Sequence, residues 1–82
     1  MNTTTIEQYV IDRVREIRTE KGFSQIDLAY ALGVTKGFVA AIENPNMRAK
    51  YKIDHLNRLA TLFECPFANF FPDKPFSDDL HK

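Results

Sequence analysis

The sequence predicts an all-α fold, a compact domain of five short helices. Apolar residues recur every three or four positions through most of the chain, which is the spacing of one face of a helix. Glycine or proline interrupts each of these runs, and both residues favour helix ends. The interruptions fall at Gly22, Gly33, Pro45, Pro66 and Pro72. With 82 residues, the chain has the length of one domain with a modest hydrophobic core.

Composition indicates a folded protein outside the membrane. Hydrophobic residues make up 44% of the chain and charged residues 27%, a balance typical of folded rather than disordered chains. No apolar run approaches the roughly 18 residues of a membrane span, and the polar N-terminus lacks a signal-peptide pattern. The single cysteine, Cys65, can form no internal disulfide, which suits a reducing compartment. We therefore expect a cytoplasmic protein without a membrane partner.

Residues 6–21 form the first predicted helix. Its apolar stripe consists of Ile6, Val10, Val14 and Ile17, and Gly22 ends it. The opposite face mixes acidic and basic residues in equal number, which we interpret as a solvated face. A membrane-bound helix would carry a basic face instead.

Residues 24–44 read as two short helices joined by a tight turn. Ser24 and Thr35 can cap the two helices, and Gly33 can end the first by adopting the left-handed conformation. Apolar residues fall at helical spacing in both helices: Ile26, Leu28, Ala29 and Leu32, then Phe38, Val39 and Ile42. One alternative is an ordinary two-helix corner of a small all-α protein.

This stretch resembles the phage-repressor-like (Xre-type) helix-turn-helix family, which belongs with the lambda-repressor-like domains. The resemblance is carried by S-Q-x-x-L-A before the turn, by I-E-N at the end, and by Gln25, Ala29, Gly33, Val39 and Ile42. It implies that residues 1–72 form a DNA-binding domain with the motif at 24–44, followed by a C-terminal tail at 73–82. The implied function is sequence-specific binding of double-stranded DNA by a small, repressor-like transcriptional regulator.

The resemblance also implies that residues 35–43 form the recognition helix, which lies in the major groove. Lys36 can then donate to guanine, Ala40 or Ala41 can meet a thymine methyl group, and Gly37 can permit close approach. Since this surface offers one charged donor, we expect deformation of the DNA to supply part of the specificity. Three further residues are expected at the interface: Gln25, Thr35 and Phe38, the last against the backbone or in the core.

The segment after this helix departs from the family, which often has glycine where this chain has Pro45. Because proline disfavours the α conformation in the preceding residue, we expect the helix to stop at Glu43 or Asn44. In the family the following loop lies along the DNA backbone. We therefore expect phosphate contacts from its polar residues, the alternative being a solvated basic loop: Asn46, Arg48, Lys50, Tyr51 and Lys52.

Charge is unevenly distributed along a chain whose formal net charge is zero. Residues 36–58 contain five basic and two acidic residues, whereas residues 64–82 contain four acidic and two basic ones. A positive centre beside an acidic tail suits a protein that meets a phosphate backbone with one face.

In the family, an arginine four residues before the glycine that ends the first helix pairs with the glutamate near the end of the recognition helix. The corresponding residues in this chain are Arg18 and Glu43. The resemblance implies this pair here, and it would position the recognition helix. The alternative for Arg18 is a solvated charge on the first helix.

The remaining two helices are predicted at 53–63 and 67–71. The inward residues of the fourth helix are Ile53, Leu56, Leu59, Ala60 and Phe63. Cys65, between the two, is expected to be a small core residue. His55 and His81 lack ligand-like spacing, so we expect both at the surface and predict no metal site and no cofactor.

Five of the seven phenylalanines lie after residue 62, more than a small core readily covers. Exposed aromatic residues mark contact sites, and the family commonly dimerises near its C-terminal end. We therefore predict a homodimer interface at Phe70, Phe71, Phe76 and Leu80. The alternative is that all these side chains pack within one chain.

No residue pattern here indicates an enzyme or a small-molecule ligand. Phosphate-binding glycine loops, metal-ligand clusters and Ser-His-Asp arrangements do not stand out in the sequence. The second functional hypothesis is a protein-interaction or antitoxin-like module on the same fold, which would meet another protein through its aromatic C-terminus.

Overall fold

A computed structural model describes residues 3–77, which contain four α-helices and one short 3-10 helix. The elements are α1 (Thr5–Glu20), α2 (Gln25–Leu32), α3 (Lys36–Glu43), α4 (Ile53–Phe63) and the 3-10 helix (Phe67–Phe70). The all-α prediction is confirmed, but the prediction of five α-helices is wrong in its last member. Phe71 is already extended before Pro72, so only four residues remain after Pro66, too few for a regular α-helix.

Local hydrogen bonds fix where each of the first three helices begins. The hydroxyl of Thr4 accepts from the Glu7 amide at 3.3 Å, and the Glu7 carboxylate accepts from the Thr4 amide at 2.9 Å. Ser24 and Asp27 form the same reciprocal pair at the start of α2. The Thr35 hydroxyl accepts from the Phe38 amide at 3.1 Å at the start of α3. The predicted caps at Ser24 and Thr35 are therefore confirmed.

The turn between α2 and α3 depends on a left-handed residue. Gly33 adopts φ +69°, which a side chain would disfavour sterically. The Val34 amide then donates to the Ala29 carbonyl at 3.0 Å, which satisfies a carbonyl that the helix end leaves open. After α3, Asn44 is extended ahead of Pro45, as the sequence predicts. The turn at Gly33 before α3 and the extended Asn44 after it limit α3 to two turns.

The core lies between all five elements: α2 packs on α3 and α4, and α1 packs on α3 and on the 3-10 helix. Val14, Leu28, Val39, Leu59 and Phe70 are completely buried in it. The rings of Phe63 and Phe70 meet edge to face, with centroids 6.3 Å apart. Cys65 is partly buried against this core. The 3-10 helix is therefore fixed by side-chain packing rather than by its own short backbone ladder.

Two residues that helical spacing places on apolar faces are exposed instead. Ile26 is 47% exposed and Ile53 is 82% exposed. Ile26 lies in the first turn of α2, on the face turned away from the core. Ile53 is the first residue of α4, and the buried residues of this helix begin at Leu56. Both predictions came from helical spacing alone, which does not say how far neighbouring helices extend.

Among residues 3–77, no helix combines the length and apolar character needed to cross a membrane.

Candidate nucleic-acid interface

The exposed face of α3 is small and begins at its N-terminus. Lys36 and Gly37 are exposed, Ala40 and Ala41 are partly exposed, and the opposite face of the helix is buried. Thr35 is exposed and caps the helix. The accessible surface therefore offers one flexible ammonium group beside a shallow, nearly flat patch.

A buried carboxylate holds the other end of α3. Glu43 is 7% exposed, and its carboxylate accepts two hydrogen bonds from Arg18, from Nε at 2.9 Å and from Nη2 at 2.8 Å. Arg18 also donates from Nη1 to the Phe23 carbonyl at 3.1 Å. Arg15 donates to the Glu43 carbonyl at 3.0 Å. The structure thus brings Arg18 and Glu43 together and joins α1 to the C-terminal end of α3.

The protonation state of Glu43 follows from this arrangement. Burial acts to raise the pKa of Glu43, but the hydrogen bonds from Arg18 and Gln25 outweigh it and leave the pKa below its usual value. The same contact raises the pKa of Arg18. Both groups therefore stay charged at neutral pH, and the pair is a buried salt bridge.

Gln25, whose predicted contact with DNA stays a prediction, is a member of this network. Its Nε2 donates to Glu43 Oε1 at 3.0 Å. The first residue of α2 is therefore tied to the last residue of α3. This bond could not be predicted from the sequence, because its partners are 18 residues apart and lie in different helices.

The loop 45–52 divides into exposed and engaged residues. Arg48 and Lys52 are exposed, and neither side chain has an ion-pair partner within the described part of the chain. The Asn46 amide donates to Asn44 Oδ1 at 2.9 Å. Lys50 reaches instead to α1, where its Nζ lies 2.6 Å from Glu7 Oε2. That contact lowers the pKa of Glu7. The ammonium group of Lys50 is already paired, so it is less available to a phosphate than the sequence suggests.

Tyr51 points into the protein rather than toward a phosphate. Its hydroxyl is buried and has no hydrogen-bond partner among residues 3–77. Burial, followed by the nearby charge of Glu43, raises the pKa of Tyr51. In this structure the Tyr51 hydroxyl therefore has no exposed surface from which to donate to DNA, and the predicted contact stays a prediction.

His55 lies at the junction of α3, the loop and α4. Its ring is 5.8 Å from that of Phe38 and 6.2 Å from that of Tyr51. Its Nδ1 accepts from the Lys52 amide at 3.0 Å, which caps α4. The predicted surface position holds in part, since the side chain is partly exposed and partly buried. Its place three residues after the cap was the available sequence signal.

The C-terminal aromatic residues separate into core and surface members. Phe70 is completely buried, so in contrast to the expectation it offers no surface to a second copy. Phe71 is 40% exposed and lines an apolar groove of about 230 Å³ with Ile6, Val10 and Ile53. Phe76 packs on Tyr9 with a centroid distance of 5.7 Å. Leu80 and His81 lie outside the described residues.

Comparison with known proteins identifies the fold family. Residues 14–70, more than half of the chain, match a family model described as helix-turn-helix. The chain belongs to this family. It is the family of Xre and lambda-repressor-like domains predicted from the sequence, and its members are DNA-binding regulators. Searches of curated proteins and of solved structures gave no significant match.

Within residues 3–77, no three His, Cys, Asp or Glu side chains cluster closely enough to hold a metal ion.

The Glu43 network predicts a strong stability effect. Arg18→Ala should lower the free energy of unfolding by about 3–5 kcal/mol, because it leaves the buried carboxylate without its main partner. Glu43→Ala should act similarly, and the double variant should lose less than the sum of the two. Urea denaturation of the four proteins measures all three differences.

Glu16→Ala is the matched control, since it removes the exposed partner of Arg13 at 3.2 Å on the same helix. It should change stability by no more than about 1 kcal/mol. Strict additivity of the Arg18 and Glu43 substitutions would contradict a coupled pair. Glu43→Gln extends the series if an alanine variant does not fold.

His55 predicts a loss of stability in mild acid. Burial, and then the charge of Lys52, lowers the pKa of His55 in the folded protein; Asp54 opposes this and Arg58 adds to it. The unfolded chain therefore takes up protons more readily, so stability is full above about pH 6.5 and falls as the pH drops through the folded pKa.

His55→Gln keeps an acceptor for the Lys52 amide and does not titrate in this range. Urea denaturation at several values between pH 5 and 8 should show the wild type weakening relative to this variant only below about pH 6.5. If the difference in unfolding free energy between the two proteins stayed constant across that range, protonation of His55 would not be coupled to unfolding.

Proposed function

We propose that this protein is a small, repressor-like transcriptional regulator that binds double-stranded DNA sequence-specifically, with α3 as its recognition helix. The observation that carries the proposal is the buried Glu43 network at one end of α3. It orients the helix so that its other end, with Lys36 and Gly37, is exposed. In this family, that end enters the major groove with α2 across the backbone.

The base-reading residues in this proposal are few. Lys36 donates to guanine O6 and N7, and Ala40 and Ala41 face thymine methyl groups. Gly37, without a side chain, lets the backbone approach the base edges. The Thr35 hydroxyl accepts from Phe38, and its own hydrogen remains to donate to a phosphate. Phe38 supports the helix through its contact with His55 rather than reading bases.

Phosphate contacts in this proposal come mainly from Arg48 and Lys52, the two basic loop residues without an ion-pair partner in the described chain. The exposed Asn46 can add a hydrogen bond. The Nζ of Lys50 lies 2.6 Å from Glu7 Oε2. Lys50 therefore contributes only if a phosphate competes with Glu7 for this ammonium group. Affinity for any duplex then depends on a small number of neutralised phosphates.

A homodimer is part of the same proposal. Phe71 and Ile53 form an exposed apolar pair at the rim of the groove, and such surfaces favour association. The partly exposed Phe76 is a further member, and Leu80 follows it in the chain. Two copies would present their recognition helices about 34 Å apart, one turn of DNA.

The same apolar groove supports the second candidate function, a protein-interaction or antitoxin-like module. A different protein could occupy the surface around Phe71 in place of a second copy. The two functions differ in one observation: a DNA regulator binds random duplex with steep salt dependence, whereas a pure interaction module does not.

Two substitutions that each remove one positive charge separate base reading from phosphate binding. Lys36→Ala should cost about 1–3 kcal/mol on the best operator and relax preference at one base position in each half-site. Arg48→Ala should weaken all duplexes about equally and flatten the salt dependence by roughly one counterion per subunit. The operator comes from selection in a random duplex pool.

The measurements are affinities for the operator, its single-base variants and random duplex at several salt concentrations. Glu16→Ala, distant from the proposed interface, serves as the folding and binding control. If Arg48→Ala changed base preference and Lys36→Ala did not, α3 would not be the reading helix.

Phe71→Asp should weaken the dimer, because it places a charge in the proposed apolar contact. Phe67→Asp is the matched control, since Phe67 is exposed to a similar degree but does not line the groove. Sedimentation equilibrium at micromolar concentrations should show dissociation only for the first variant. A wild-type protein that stays monomeric and protects a single half-site would refute the dimer.

A further inference from the structure

Tyr30 is the most exposed large hydrophobic side chain of the helix-turn-helix. It lies in the last turn of α2 and is 83% exposed. Its hydroxyl makes no hydrogen bond within residues 3–77. The ring therefore contributes little to the core, and its surface is available to a partner.

The position of Tyr30 connects it to the recognition helix. Tyr30, Val34 and Lys36 line one shallow depression between α2 and the start of α3. Ile26, one helical turn before Tyr30, forms the far wall. Tyr30 is therefore continuous with the exposed end of α3 and lies beside Lys36.

We infer that Tyr30 is a further DNA-contacting residue, whose hydroxyl donates to a backbone phosphate beside the base contacted by Lys36. This inference rests on the proposed function. In that docking α2 crosses the sugar–phosphate backbone, and tyrosine is among the side chains that contact phosphates. The flat ring packs against deoxyribose while its polar tip reaches the phosphate oxygen.

A neutral donor leaves a distinctive signature. A hydroxyl adds affinity without displacing a counterion, so its removal should leave the salt dependence unchanged. A phosphate contact carries no base information, so its removal should also leave the ratio of operator to random affinity unchanged. The two features together separate Tyr30 from Arg48 and from Lys36.

The test uses Tyr30→Phe, which removes only the hydroxyl, on the full chain. Affinity for the selected operator and for random duplex should both fall roughly three- to tenfold, with the same salt slope as the wild type. The melting temperature should not change, because the side chain is exposed. Tyr30→Ala, which also removes the ring, should lose more affinity on both duplexes.

Tyr9→Phe is the matched control, because its ring packs on Phe76 on the outer face of α1, and it should bind as the wild type does. Unchanged affinity of Tyr30→Phe would overturn the inference, as would an altered salt slope or an altered operator-to-random ratio. A wild-type protein that binds no duplex at any salt concentration would instead refute the proposed function. The measurement on the wild type alone is enough to show this.

Discussion

The buried carboxylate of Glu43 is the constraint on which the arrangement of the helices depends. A carboxylate without water must be paired and hydrogen-bonded, and Arg18 and Gln25 meet that requirement from α1 and from the start of α2. Three helices are therefore fixed relative to one another at one point. Any rotation of α3 about its axis would leave this charge without partners, so the exposed face of the helix is set as well.

The orientation of α3 comes from its buried residues, which explains why its exposed surface can consist mostly of small residues. Orientation is supplied by the buried end and by the packing of Val39 and Ile42, and does not depend on Lys36, Gly37, Ala40 or Ala41. Small residues on a rigid helix permit close approach but few hydrogen bonds. Discrimination between DNA sequences would then draw on shape and deformability as well as on direct contacts.

The loop after α3 is anchored by side chains whose types suggest surface roles. Lys50 is held by Glu7, Tyr51 turns its hydroxyl inward, and His55 caps α4 while touching Phe38. The loop is thus tied to α1 and to α4, and α4 in turn contacts α3 through His55. Among the basic residues of the loop, only Arg48 and Lys52 have no ion-pair partner in the described chain, which places the proposed phosphate contacts at the middle and at the end of the loop.

The sequence by itself determined the features that depend on neighbours within a few residues. The caps at Ser24 and Thr35, the left-handed Gly33 and the end of α3 before Pro45 are local, because each involves backbone groups at most five positions away. The family pattern added the Arg18–Glu43 contact. Only the tertiary structure decided the partner of Gln25, the contact of Lys50 with Glu7, the burial of Tyr51 and Phe70, and the exposure of Ile26 and Ile53. Those outcomes depend on which helix faces meet, over separations of 18 residues for Gln25 and 43 for Lys50, and residue spacing along one helix carries no information about that.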